Sequence, residues 1–213
     1  MSGLISFSLK TMRLVGLGSV VVALFGCGST QLAGVPEDQK DMEADYTYVI
    51  GPGDSMEVFV WGNEELTVGN VKVRPDGKIT TRLVENIEAS GKTPSQLARD
   101  IEKSYSEYVK SAVVSVIVDR FEGVPSQQVR VVGEASKPKK SPYKKHMTVL
   151  DLMIEVGGLT EFADGNKAVL VRTLDGTQNT YQLRLDDLLA NGDISANVAL
   201  FPGDIVIIPE AWF

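Results

Sequence analysis

Tyr48-Val49-Ile50-Gly51-Pro52-Gly53-Asp54 runs directly into Met56-Glu57-Val58-Phe59-Val60. Pro52-Gly53 is a turn pair: proline sets φ for the first corner and glycine accepts the positive φ of the second. The residues that follow alternate apolar and polar, the pattern of a strand with one buried face. A tight turn launching a half-buried strand opens a mixed domain near Tyr46. Downstream, residues 71–74, then Pro75-Asp76-Gly77, then residues 78–81 read as a β-hairpin around a glycine-containing turn. Thr93-Pro94-Ser95-Gln96 predicts a helix start, with Thr93 as cap, Pro94 at the first helical position and Gln96 closing a capping box. Leu97, Ile101, Tyr105 and Tyr108 recur at helical spacing. Residues 112–121 read as a strand with Val114, Val116 and Val118 on one face.

A second unit starts near Ser126. Residues 128–133 read as a strand, and Thr148-Val149-Leu150-Asp151 begins a helix with Leu150, Met153 and Ile154 towards the core. Gly157-Gly158 ends it, since glycine accepts the left-handed conformation of a helix C-terminus. Residues 168–173 and 180–185 are strands around the hairpin signal Asp175-Gly176, and residues 205–208 form the last strand. Phe201-Pro202-Gly203-Asp204 echoes Gly51-Pro52-Gly53-Asp54 and reads as the same good turn used twice. The expected fold class is α+β: two small mixed domains, 46–124 and 125–213.

The chain before them has another character. Lys10 and Arg13 precede an apolar run over residues 14–25. As a helix that run would span about 18 Å, short of the roughly 30 Å of a bilayer core. A positive flank, a short apolar run and small residues before a cut site describe a secretory signal. Residues 28–45 carry Gly, Ser, Gln, Pro and acidic side chains without an apolar period, and read as a tether.

Composition sets further bounds. The chain has 213 residues and a net charge of −7, which argues against a general nucleic-acid binder. Mean hydropathy near zero excludes a polytopic helical membrane protein. One cysteine, Cys27, and one histidine, His146, leave no Cys/His metal set and no intramolecular disulfide. There is no G-x-S-x-G, no phosphate-cradling G-x-x-x-x-G-K-[ST] and no H-E-x-x-H. Gly16-Leu17-Gly18 lies inside the signal. Asp186-Asp187 and Glu64-Glu65, read as strand neighbours, point to opposite faces and do not form a shared site. His146 reads as an exposed loop residue. No catalytic residue, metal or cofactor is expected. Lys137, Lys139, Lys140, Lys144 and Lys145 concentrate five positive charges in an acidic chain. They read as a solvated loop or as a contact for an anionic partner: lipid headgroups, an acidic glycan or another protein.

Several motifs, in order, resemble a known family. Leu24-Phe25-Gly26-Cys27 resembles the bacterial lipobox, which implies cleavage after residue 26, acylation of Cys27 and a lipidated tether over 27–45. Gly28 in place of Asp implies the outer membrane. Tyr48 through Asp54, with Val58 and Trp61, resembles the opening of the polysaccharide export domain. Val73-Arg74-Pro75-Asp76-Gly77-Lys78-Ile79 resembles that domain's Pro-Asp-Gly hairpin, and Gly91-Lys92-Thr93-Pro94 with Leu97 its helix start. Val129 through Glu134, Thr148 through Asp151, Gly157-Gly158-Leu159-Thr160, Phe201 through Asp204 and residues 205–209 resemble an SLBB domain, a β-grasp module. The ending resembles export proteins linked to exosortase systems. Thr80-Thr81-Arg82 and the lysine run depart from the family pattern.

The resemblance implies conduction of an exopolysaccharide or capsule polymer through a periplasmic ring of identical subunits, with an inner-membrane co-polymerase as partner. A monomeric periplasmic ligand- or glycan-binding lipoprotein is the runner-up; a glycan-active enzyme lacks a visible acid/base pair. The sequence ends at Glu210-Ala211-Trp212-Phe213, and a spanning helix needs about 20 residues. The body is therefore not expected to cross the bilayer, and a separate outer-membrane β-barrel is expected to complete the path. Trp212 and Phe213 read equally as interfacial residues or as packing against protein.

Overall fold

The computed structural model describes residues 32–42 and 44–212. The signal 1–26, Cys27 and Phe213 lie outside them.

A short helix α1 (Glu37–Lys40) precedes the first domain. That domain holds β1 (Ser55–Val60), β2 (Val68–Lys72), β3 (Lys78–Ile79), β4 (Ile87–Glu88), α2 (Pro94–Tyr105) and β5 (Val114–Arg120). Strand β1 is central between antiparallel β2 and β5, with Val58 opposite Val116 and Val60 opposite Val114. The period-2 pattern of β1 sends Met56, Val58 and Val60 inward, where they meet Leu97, Ile101 and Tyr105 of α2. Helix α2 starts where its capping box predicts: the Thr93 hydroxyl accepts from Gln96 N at 3.2 Å and Gln96 Oε1 accepts from Thr93 N at 2.9 Å.

The second domain holds β6 (Gln128–Gly133), β7 (Lys140–Pro142), α3 (Val149–Val156), β8 (Ala168–Leu174), β9 (Thr177–Leu183), α4 (Leu185–Leu189) and β10 (Ile205–Ile208). Its sheet runs β7-β6-β10-β8-β9, with β10 parallel to β6 and antiparallel to β8. Helix α3 buries Val149, Leu152, Met153 and Val156 in one core with Val129, Val131, Leu170, Val206 and Ile208. Each contributes about 1.5–3 kcal/mol. Asp175 and Gly176, at φ 49° and 77°, make the primed turn that the β8–β9 hairpin requires. The α+β class and the β-grasp character of the second domain hold.

Local readings are corrected in four places. The arms around Pro75-Asp76-Gly77 pair only beside the turn, where Arg74 N donates to Lys78 O at 3.0 Å. The turn exists, with Gly77 N donating to Arg74 O at 2.8 Å, but β2 pairs with β1 and β3 with β4. Ile154 is 70% exposed, because α3 turns its 149/152/153/156 stripe to the sheet. Asp186 and Asp187 sit in the first turn of α4, and Glu64-Glu65 in a 3-10 turn, not in strands. The segment read as a tether is docked over part of its length. Val35 is buried in the second core, Gln182 N donates to Ala33 O at 2.9 Å, and Ala199 N donates to Lys40 O at 2.7 Å. Val35 stands between Gly34 and Pro36 and sets no apolar period.

Candidate functional site

The linker between the two domains is fastened by the first Pro-Gly-Asp turn and bordered by the second. Asp54 is fully buried. Its Oδ2 accepts from Gly51 N at 2.8 Å and from the Tyr48 hydroxyl, and its Oδ1 accepts from Glu122 N at 2.6 Å and Gly123 N at 2.9 Å. Four donors answer a carboxylate that would otherwise be costly to bury. Burial, reinforced by the Asp54 carboxylate, pushes the Tyr48 phenol far above its ordinary range, so it remains a donor. A side chain at Gly51 would place Cβ 2.0 Å from Gly123 O; only glycine lets the two backbones approach so closely. Gln127 adds a clasp: its Nε2 donates to Thr47 O at 3.0 Å and its Oε1 accepts from Val49 N at 3.3 Å.

The second turn borders the other end of the linker. A Cβ on Gly203 would lie 3.0 Å from Ser126 O. Asp204, 1% exposed, accepts from Phe201 N at 2.8 Å and from Arg172 through Nη2 at 2.7 Å and Nε at 3.1 Å. Arg172 is fully buried, also donates to Ala199 O at 2.7 Å, and lies 3.9 Å from the centre of the Phe201 ring. Its Nη1 has no hydrogen-bond partner among the described residues. Burial raises the Asp204 carboxyl above its ordinary value; the Arg172 charge and the Phe201 amide pull the other way without cancelling it. The sequence echo is thus more than a convenient turn. Both aspartates are core residues, one answered mainly by backbone amides and a phenol, the other by a buried guanidinium.

The family comparisons divide the chain at this linker. Residues 42–119 match the family described as polysaccharide biosynthesis/export protein, and residues 127–208 match the SLBB domain. The chain belongs to the polysaccharide export family, with an SLBB domain. Its function is related to polysaccharide export, and proteins of this family are associated with the periplasm and the outer membrane. The matched families are export domains rather than enzyme families.

Within this export protein the remaining sequence-marked residues separate. Asp76, at the Pro75-Asp76-Gly77 turn, holds Arg74. Gly157 and Gly158 end α3 at φ 81° and 83°, Gly158 N donating to Met153 O at 2.8 Å. The lysine run is partly neutralised within the molecule. Lys144 and Lys139 reach Glu155 at 2.7 and 3.4 Å, and Lys140 reaches Glu122 at 3.7 Å. Burial pushes the Glu155 carboxyl up, but Lys144, the Ser141 hydroxyl at 2.6 Å and Lys139 outweigh it and hold it down at about 2. Lys137 and Lys145 are exposed, as is His146, which adopts φ 65°. Among the described residues no group of three or more His, Cys, Asp or Glu is placed to hold a metal.

One feature of the junction escaped pattern reading. Tyr46, Tyr48, Phe121, Pro142, Tyr143 and Lys144 line a cleft of about 260 Å³. The Tyr46 ring meets Tyr143 edge-on at 4.8 Å and the Tyr48 ring meets Phe121 edge-on at 5.2 Å. Tyr-x-Tyr just before the first turn was the available signal, but its partners lie some 70 and 100 residues away.

Proposed function

We propose that this chain is a periplasmic, outer-membrane-anchored component of an exopolysaccharide or capsule export channel, passing polymer through a ring of identical subunits. The observation that carries the reading is the ordered pair of matched domains, export domain then SLBB domain, over residues 42–119 and 127–208. The proposal places the lipid on Cys27, an inner-membrane co-polymerase against the ring, and a separate outer-membrane β-barrel at its exit. No helix among the described residues is long and apolar enough to cross a membrane.

Exposed apolar surface favours self-association. The outward face of the β1–β5 pair presents Trp61 at 71%, Val113 at 53% and Ile117 at 50% exposure, with Phe59 packed edge-on against Trp61 at 6.4 Å. Elsewhere Ile154 and Ile194 are 70% and 67% exposed. A ring needs two different patches that fit each other, the head-to-tail arrangement, and a subunit with separate apolar faces meets that requirement. Native mass spectrometry of the full protein extracted in mild detergent tests it. A closed oligomer is expected, reduced to smaller species by Trp61→Glu and Ile117→Glu. A strict monomer, alone and with its co-polymerase, would remove the ring.

A further inference from the structure

The aromatic cleft at the domain junction has the makings of a ligand site. Its lining is almost entirely carbon: three tyrosine rings, one phenylalanine ring and Pro142, with Lys144 at the rim. Phe121 is 52% exposed although it stands on a fastened segment. The next two amides, Glu122 N and Gly123 N, are both held by Asp54. Tyr48 is fixed from the other side through its hydroxyl on the same Asp54. An exposed aromatic on a rigid backbone binds without first having to be ordered, which is the general advantage of preorganisation.

Size and chemistry narrow the occupant. About 260 Å³ lies just under the roughly 300–1,000 Å³ of sites for drug-sized ligands, which suits one or two six-membered rings. Aromatic faces are electron-rich and attract groups with positive edges. A pyranose ring presents such a face: C–H bonds on one side, hydroxyls around the rim. Lys144 supplies a positive charge at the edge and is 69% exposed while shared with Glu155, so it can reach an incoming anion. Lys139 stands on the same Glu155. The cleft therefore complements a sugar ring bearing a carboxylate.

We propose that this cleft is a sugar-binding subsite for the exported polymer, in which a pyranose stacks on Phe121, the Tyr48 ring standing edge-on beside it, and an anionic substituent meets Lys144. The identity of the ligand rests on the export reading; the site itself rests on the cleft.

The test uses the full-length, detergent-extracted protein and oligosaccharides cut from the producing strain's own exopolysaccharide, immobilised for surface plasmon resonance. Binding is expected to weaken about two- to tenfold in Phe121→Ala, in line with loss of an aromatic stacking partner, and to be retained in Phe121→Trp. Lys144→Gln is expected to weaken binding of the oligosaccharides but not of their carboxyl-reduced forms. Native mass spectrometry and polymer secretion are measured on the same variants. Equal binding by Phe121→Ala and the unsubstituted protein overturns the subsite. So does loss of assembly in Phe121→Ala without loss of sugar affinity, which makes Phe121 a contact between subunits. Absence of any binding by an assembled, secreting protein overturns the subsite and leaves the channel reading intact. A protein that binds sugar but neither assembles nor supports secretion overturns the channel reading instead.

Discussion

Replacing Arg172 with Met tests the electrostatic argument for the second Pro-Gly-Asp turn. The guanidinium is fully buried and makes three contacts with Asp204 at 2.7, 3.1 and 3.2 Å, one with Ala199 O at 2.7 Å, and a stacked contact on Phe201. Methionine preserves much of the apolar stem but leaves the Asp204 carboxylate at 1% exposure without its cation. Breaking a buried pair from one side costs about 3–5 kcal/mol. For a chain of this size that lowers Tm by about 6–20 °C. The cost also depends on pH. Asp204 already has a raised carboxyl in the native protein, and losing Arg172 raises it further. A group with a raised folded value gives stability below its unfolded value and loses it as pH rises through the folded one. The deficit of Arg172→Met relative to the unsubstituted protein is therefore smallest near pH 4 and grows towards pH 8. Thermal unfolding followed by circular dichroism across that range reads it. The double variant Arg172→Met/Asp204→Asn, which keeps an acceptor for Phe201 N but no buried charge, is expected to recover more than half of the loss. A deficit below about 1 kcal/mol at pH 8, or one that does not grow with pH, would refute the reasoning, since a buried unpaired carboxylate must show both.

Gly51→Ala is expected to cost about 1–3 kcal/mol or more by overpacking, because its Cβ would meet Gly123 O at 2.0 Å; an unchanged Tm would mean that the linker is not clamped. The Glu155 carboxylate, held at about 2, contributes stability that is complete above the ordinary carboxylate range and is lost as pH falls towards that value. Linkage sets a ceiling of about 3 kcal/mol, reduced to about 1–2 kcal/mol because its lysine partners are 43% and 69% exposed. Glu155→Gln should flatten the acid limb of the stability curve, and an unaltered limb counts against the cluster. Replacing Lys137, Lys139, Lys140, Lys144 and Lys145 together with Gln should reduce co-polymerase binding or secretion more than stability; no change in either returns the run to a solvated face. Cys27→Ala should release the protein from membranes or leave its signal uncleaved, and an unmodified thiol in native membranes, seen by mass spectrometry, would sink the lipid anchor.

The elements that were legible in the sequence are those with local causes. The Thr93/Gln96 box, the Asp175-Gly176 hairpin and the glycine stop at Gly157 each depend on residues within a few positions, and each forms as read. Pairing over distance was not legible. The Pro75-Asp76-Gly77 turn forms as a turn, yet beyond Arg74 and Lys78 its two arms take different partners, β2 pairing with β1 and β3 with β4. Arg172 falls in phase with the buried Ala168 and Leu170 of β8, but only the fold brings Asp204, 32 positions later, to its guanidinium. The lysine run looked like free charge because Glu155 and Glu122, which take up part of it, belong to other elements. The tyrosines of the cleft were invisible as a set for the same reason.

The fastened linker gives the exposed faces a meaning that separate domains would not have. A head-to-tail contact closes into a ring only if each subunit imposes the same rotation; otherwise it propagates as an open chain. Two domains on a loose connection would let that rotation vary from subunit to subunit. Here the segment between them is held by Asp54 through Glu122 N and Gly123 N, by Gln127 through Thr47 O and Val49 N, and by the close approach of Gly51 to Gly123. The Trp61 face of the first domain and the exposed Ile154 of the second are therefore joined through a fastened segment. In the ring proposed above, closure depends on this junction as well as on the contact surfaces. Loosening it with Gly51→Ala should broaden the distribution of oligomer sizes even where both apolar faces are untouched. The Trp61→Glu variant should instead shift that distribution to smaller species. Two variants that both disturb assembly, one by spread and one by loss, separate the role of the junction from the role of the face.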